Sequence, residues 1–171
     1  MLLVGPTEEP LTLDEAKLRA GLSWAPGDPR DALMQSFIKA ARQKVEQDTG
    51  LALLQQTRLV TINVAAGATV PIPAQTMPTI SITALAPAPT FEVGPGLWTF
   101  PDDTVGSWEV VAGWPTAVAL QAEAPLLVQA VGLLCAHMAT LGRDLASSEE
   151  SFLVPLGYDE AIQPYRVLWL V

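Results

Sequence analysis

Residues 29–64 read PRDALMQSFIKAARQKVEQDTGLALLQQTRLVTINV, and within this stretch the hydrophobic period changes from between three and four to two. In its first part Leu33, Met34, Phe37, Ile38, Ala41 and Val45 recur at helical spacing on one continuous face. Lys39, Arg42, Gln43, Lys44 and Glu46 fall largely elsewhere. Asp28 reads as the cap, Pro29 sits at the first position where its missing N–H does no harm, and Gly50 supplies the stop. A helix over residues 29–49 spans about 31 Å at about 1.5 Å per residue. Beyond Gln56 the alternation predicts strands over residues 58–64, 79–83, 98–100 and 107–112. Pro71, Pro73, Pro78, Pro87, Pro89, Pro95 and Pro101 fall between them, with Gly67, Gly94, Gly96 and Gly106. Proline is excluded from central ladders, so the sheet should be small, antiparallel and built of short strands. Helices beside a block of such strands give an α+β class.

Upstream lies a shorter signal, EPLTLDEAKLRAGL, residues 9–22. Thr12 and Glu15 form a capping box, and Asp14 and Glu15 suit the positive end of the helix dipole. Gly21 ends it after about two turns, too few to persist alone. Packing must hold it, through Leu13, Ala16, Leu18 and Leu22, and the long helix offers a surface for that. Downstream, a third helix over residues 125–141 is apolar nearly all round, with Gln129, His137 and Thr140 as its only polar strip. Such a helix is buried on most sides, and a neighbouring copy of the chain is a candidate for part of the cover. A polar stretch, residues 142–156, reads as a mobile loop, followed by a short helical turn that Pro164 stops. The last residues, YRVLWLV from Tyr165 to Val171, are almost wholly apolar. Burying Val167, Leu168, Trp169, Leu170 and Val171 yields on the order of 10 kcal/mol as an upper figure. Either this tail is a last strand in its own sheet or it docks into another protein.

Composition narrows the function classes. The 171 residues fit one domain, and half are hydrophobic. Nine basic residues against 18 acidic ones give a formal charge of −9, which argues against holding a phosphate backbone. The first four residues lack a basic leader, so nothing points to export. The apolar run of residues 125–141 falls short of a membrane span. Cys135, the single cysteine, reads as a small buried hydrophobe, and His137 has no partners spaced for a metal. The acidic pairs Glu8-Glu9, Asp102-Asp103 and Glu149-Glu150 read as solvated loop charge. There is no GxSxG, no P-loop and no dinucleotide fingerprint. The residues thus propose no catalytic site, no metal and no cofactor. Trp98, Trp108 and Trp114 could line a ligand pocket in a β-rich binding module or enzyme, but aromatics alternating within strands are more often core.

Six segments in order carry a resemblance: EPLTLDEAKLRAGL, AARQKVEQDTGLALLQQT, VPIPAQTMPTISITAL, WEVVAGWP, the apolar helix closing on GRD, and VPLGYDEAIQPYRVL. Together they resemble the head-tail connector, or adaptor, proteins of long-tailed bacteriophages and gene transfer agents. The resemblance implies one connector domain over residues 1–171: N-terminal helices at 12–50, an inserted β subdomain at 56–114, a core helix at 125–141 and a C-terminal docking segment at 157–171. It further implies a non-enzymatic twelve-membered ring in the virion neck, assembled in the host cytoplasm, with neighbouring copies at its sides. The portal protein lies above it, and a stopper or tail protein below. DNA would slide through an acidic lumen without specific binding. Tyr165, Arg166, Val167, Leu168, Trp169, Leu170 and Val171 become the portal anchor, and the short first helix a clamp on the second. A stopper or tail-completion ring is the alternative role.

Overall fold

The computed structural model describes residues 1–71, 73–84, 92–94, 97–100, 103–144, 155 and 157–166. The change of period is a change of structure. The helix α1 spans Leu13–Arg19, and α2 spans Arg30–Thr49. Three strands of the sheet region follow the sequence reading closely: β2 over Gln56–Val64, β4 over Thr79–Ala84 and β7 over Thr104–Ala112. Three short strands were not legible, namely β1 over Leu2–Val4, β3 over Thr69–Pro71 and β5 over Glu92–Gly94. The strand expected at residues 98–100 is β6, Leu97–Thr99.

Instead of one sheet there are two, both antiparallel. Four strands run in the order β1-β2-β7-β4, and three in the order β3-β6-β5. Gln56 to Val64 pair with Ala112 to Thr104 without a break, so β2 and β7 form the centre. Prolines stay out of it: Pro71 closes β3, an edge strand, as a residue without an N–H must. Trp98 and Phe100 pack with Val60, Trp108 and Val110 in a core of their own.

The remaining helices are α3 over Ala117–Glu123, which the sequence reading missed, α4 over Pro125–Asp144, and α5 over Tyr158–Ile162, with a single turn of 3-10 helix at Gln163–Tyr165. The third expected helix therefore runs three residues beyond Leu141, into the stretch expected as a polar loop. Most of that loop lies outside the described residues, as do Val167 to Val171. The helices share a second core, in which Met34, Ile38, Ala41 and Val45 of α2 meet Leu127, Val131, Leu134 and Cys135 of α4 and Ile162 of α5.

The face of α2 differs from the simple stripe. Leu33, expected on the apolar face, is 54% exposed, whereas Arg42 and Glu46 are buried. Two charges enter the core because they pair with each other, a possibility that apolar spacing alone does not report. At its start, α2 takes its cap from Asp28 by a route one residue off the expected one: the Asp28 carboxylate accepts from Arg30 N–H at 2.9 Å, and Pro29 is the N-cap residue. Gly50 ends the helix in the left-handed region, at φ 76°. Gly113 has the sharper requirement. Its φ is 106°, and a Cβ there would lie 2.2 Å from Leu54 O, so no side chain fits where β7 turns back against the start of β2.

The capping box of α1 is complete, with Glu15 N–H donating to Thr12 Oγ1 at 3.2 Å and Thr12 N–H to Glu15 Oε2 at 2.8 Å. Replacing both residues with alanine is expected to cost about 1 kcal/mol or more. Chemical denaturation reads this directly, and an unchanged midpoint would show that packing alone holds α1.

Candidate functional site

The short helix is tied down by a polar clamp. Lys17 is buried, and its Nζ lies 2.6 Å from Asp31 Oδ1 on α2. Trp24 Nε1 donates to the same oxygen at 2.6 Å, and Gly27 N–H to Oδ2 at 2.9 Å. These donors, Lys17 first and Trp24 next, hold the Asp31 carboxyl below its ordinary pKa. Lys17 Nζ and the Arg30 guanidinium carbon each lie over the Trp24 ring, 5.2 Å and 4.5 Å from its centroid. Beside this clamp is a groove of about 510 Å3 whose wall includes the exposed Leu33 with Phe37 and Ala139.

A second polar unit joins the chain start to the middle of α2. Arg42 donates through Nε to Glu9 Oε2 and through Nη1 to Glu46 Oε2, each at 2.8 Å. Glu46 Oε1 accepts from Leu53 N–H at 3.0 Å. Desolvation raises the Glu46 pKa, and Arg42 and Leu53 N–H oppose that rise. Glu9 is thus an ion-pair partner, not loose solvated charge. Glu8 accepts from Ala117 N–H at 2.8 Å and Asp103 from Ala66 N–H at 2.8 Å, so these two also hold backbone turns. Asp102, Glu149 and Glu150 lie outside the described residues.

The expected docking segment begins at a firmly held base. Tyr158 is 1% exposed, and its hydroxyl donates to Asp48 Oδ2 on α2 at 2.7 Å. Ala161 and Ile162 are buried in the helical core, and Tyr165 packs partly against it. Arg166 Nη2 lies 2.7 Å from Asp159 Oδ1 at the surface. Of the expected anchor, Tyr165 and Arg166 are placed together at this exit, while Val167 to Val171 lie outside the described residues.

The other residues singled out behave as packing groups. Cys135 is buried, and desolvation pushes its thiol up to about 11. Trp98 and Trp108 are 0% and 1% exposed, and Phe100 packs against Trp108 with ring centroids 6.0 Å apart. They do not line an open pocket with Trp114, whose Nε1 instead donates to Glu123 at 2.9 Å. Among the described residues no three His, Cys, Asp or Glu side chains are gathered to hold a metal. No single described helix is long and apolar enough to cross a membrane.

Neither a family model nor a curated protein matches the chain. Solved structures do. A chain in the virion of a native gene transfer agent particle superposes with a TM-score of 0.73 at 19% identity, covering 100% of this chain and 96% of that one. The chain shares its fold. A chain in the neck of an empty particle of the same kind gives 0.70 at 21% identity, and one in the neck of a native particle computed with C12 symmetry gives 0.66 at 21%. Both cover 100% of this chain and 97% of their own length, so the likeness takes in the helices and the β subdomain together.

Arg42→Ala leaves Glu46 buried without its counter-charge and should cost about 3 to 5 kcal/mol in urea denaturation, whereas Glu9→Ala, at the more exposed end, should cost far less. Burial and then the Asp48 hydrogen bond push the Tyr158 hydroxyl well above its ordinary value of 10.0. A pKa raised on folding contributes stability that is complete below the unfolded value and lost as pH rises past it. Stability should therefore fall above about pH 10. Tyr158→Phe should flatten that fall while losing about 1 kcal/mol at neutral pH, measured by denaturation from about pH 8 to about pH 11.

Proposed function

We propose that the chain is a structural head-tail connector of a tailed-phage or gene-transfer-agent virion, acting without catalysis as one wedge of a ring beneath the portal. The observation that carries this reading is the end-to-end likeness to chains of gene transfer agent particles, one from a virion at a TM-score of 0.73 and two from necks at 0.70 and 0.66. One of those necks was computed with C12 symmetry, in keeping with a ring of twelve copies. The rigid exit at Tyr158, Ile162 and Tyr165 supports a docking role for the residues that follow. It fixes where an apolar tail would leave the body, so little is lost in orienting it when it enters a portal groove. Arg166 would then exchange Asp159 for an acceptor at the groove rim. The surplus of acidic residues suits a channel through which DNA slides without adhering.

Mixing the purified protein with the portal of its particle and imaging by negative stain tests the proposal. Rings stacked on portals are expected, and deletion of residues 165–171 should abolish stacking while leaving a folded protein. Binding to a tail protein but never to the portal would instead assign the chain to the stopper or tail-completion position.

A further inference from the structure

Between α2, the start of β2 and the segment that leads into α1 lies a cleft of about 430 Å3. Gln56 and Arg58 both line it. They are two residues apart on β2, so their side chains leave the same face of the strand. Gln56 is 2% exposed, and its Nε2 has no hydrogen-bond partner among the described residues. Arg58 Nε, also buried, has none either. Native chains rarely leave two such donors in one place, because each has given up its water and received nothing in return.

The acceptors nearby are already engaged. Gln75 Oε1 takes Arg58 Nη2, and Glu9 and Glu46 take Arg42. Lys39 and Arg58 in the cleft, and Arg19 outside it, have no ion-pair partner among the described residues, whereas Lys17, Arg30, Arg42, Lys44 and Arg166 do. Lys39, Arg42 and Arg58 face Glu9 and Glu46 in the cleft, so in a chain of formal charge −9 this concavity is net positive. Its own two carboxylates are engaged by Arg42 and the Leu53 N–H, so what it lacks is a further acceptor for Gln56 Nε2 and Arg58 Nε. A singly charged, planar carboxylate can accept from an amide and a guanidinium together, whereas the two glutamates beside it oppose a phosphate dianion.

We propose that this cleft is an anion site that receives an aspartate or glutamate carboxylate from a second copy of the chain. The donor is argued from charge: 18 acidic residues against nine basic ones leave surplus carboxylates on every copy, and this is a place on the same chain that seeks one. The assignment to a second copy rests on the ring reading above; the anion site itself does not.

The test follows the side-chain N–H resonances of Gln56 and Arg58 in the isolated full-length protein. Sodium acetate is titrated against sodium chloride at matched ionic strength. Both resonances should shift saturably with acetate only, and Arg58→Lys should weaken the response at least about tenfold. Absence of an acetate-specific shift, with water alone in the cleft, overturns the site. Gln56→Leu supplies a second measurement. It should raise the melting temperature of the isolated protein, because a buried unpaired donor is removed. It should also weaken self-association in sedimentation at least about tenfold. A raised melting temperature with unchanged self-association overturns the second copy as the source. If rings never form on portals while the acetate response persists, the connector reading fails and the anion site stands.

Discussion

The carboxylate of Glu46 is the point on which the two halves of the molecule turn. One oxygen holds Arg42 on the same helix, and through Arg42 it reaches Glu9 in the segment that enters α1. The other oxygen holds the Leu53 N–H where the chain leaves α2 for the sheets. A lone buried charge is among the most costly features a core can contain, and it is tolerated here because the Arg42 guanidinium and the Leu53 N–H are directed at it. The register of α2 is consequently fixed against both the N-terminal segment and the β subdomain. A rotation of the helix that improved apolar packing would pull Arg42 away from Glu9 and Glu46 away from the Leu53 N–H.

Around that point each hydrophobic layer has its own chemistry. The helical core is aliphatic, with Met34, Ile38, Val45, Leu127 and Val131 interlocked between α2 and α4. The sheet core is aromatic, with Trp98, Phe100 and Trp108 closing the space between two small sheets. Aromatics suit that place because short strands supply few side chains, and each ring buries a large area. Such a body has closed cores and a fixed exit for its last residues, and its charges are engaged in holding turns. The gene transfer agent chains that superpose on it share this fold.

Most of this architecture could be read from residue order. The capping box at Thr12 and Glu15 and the stop at Gly50 lie where their chemistry placed them, and the strands over Gln56–Val64 and Thr104–Ala112 follow the period-two pattern. What escaped was non-local. Leu2–Val4 is a strand only because β2 offers it an edge, and Glu9 is an ion-pair partner only because the fold brings it to Arg42, 33 residues away. The i, i+4 spacing of Arg42 and Glu46 was visible, but nothing in sequence says that such a pair is buried rather than solvated. Lys17 was hidden for the same reason. Its ammonium reads as surface until Asp31 and Trp24 close over it. In the candidate site the tail was conspicuous by composition, whereas the lock between Tyr158 and Asp48 spans 110 residues and could not be inferred.

Gly113 has a mechanical corollary. Next to it, Trp114 bridges Leu54 in parallel, and Gln55 N–H donates to Trp114 O at 2.9 Å, so the chain enters and leaves the sheet region side by side through one hydrogen-bonded seam. Gly113 lets those two backbones touch, and its own N–H adds a further stitch to Pro78 O at 2.8 Å. Torque on the sheets is thereby delivered to the helices across a hydrogen-bonded seam instead of a hinge.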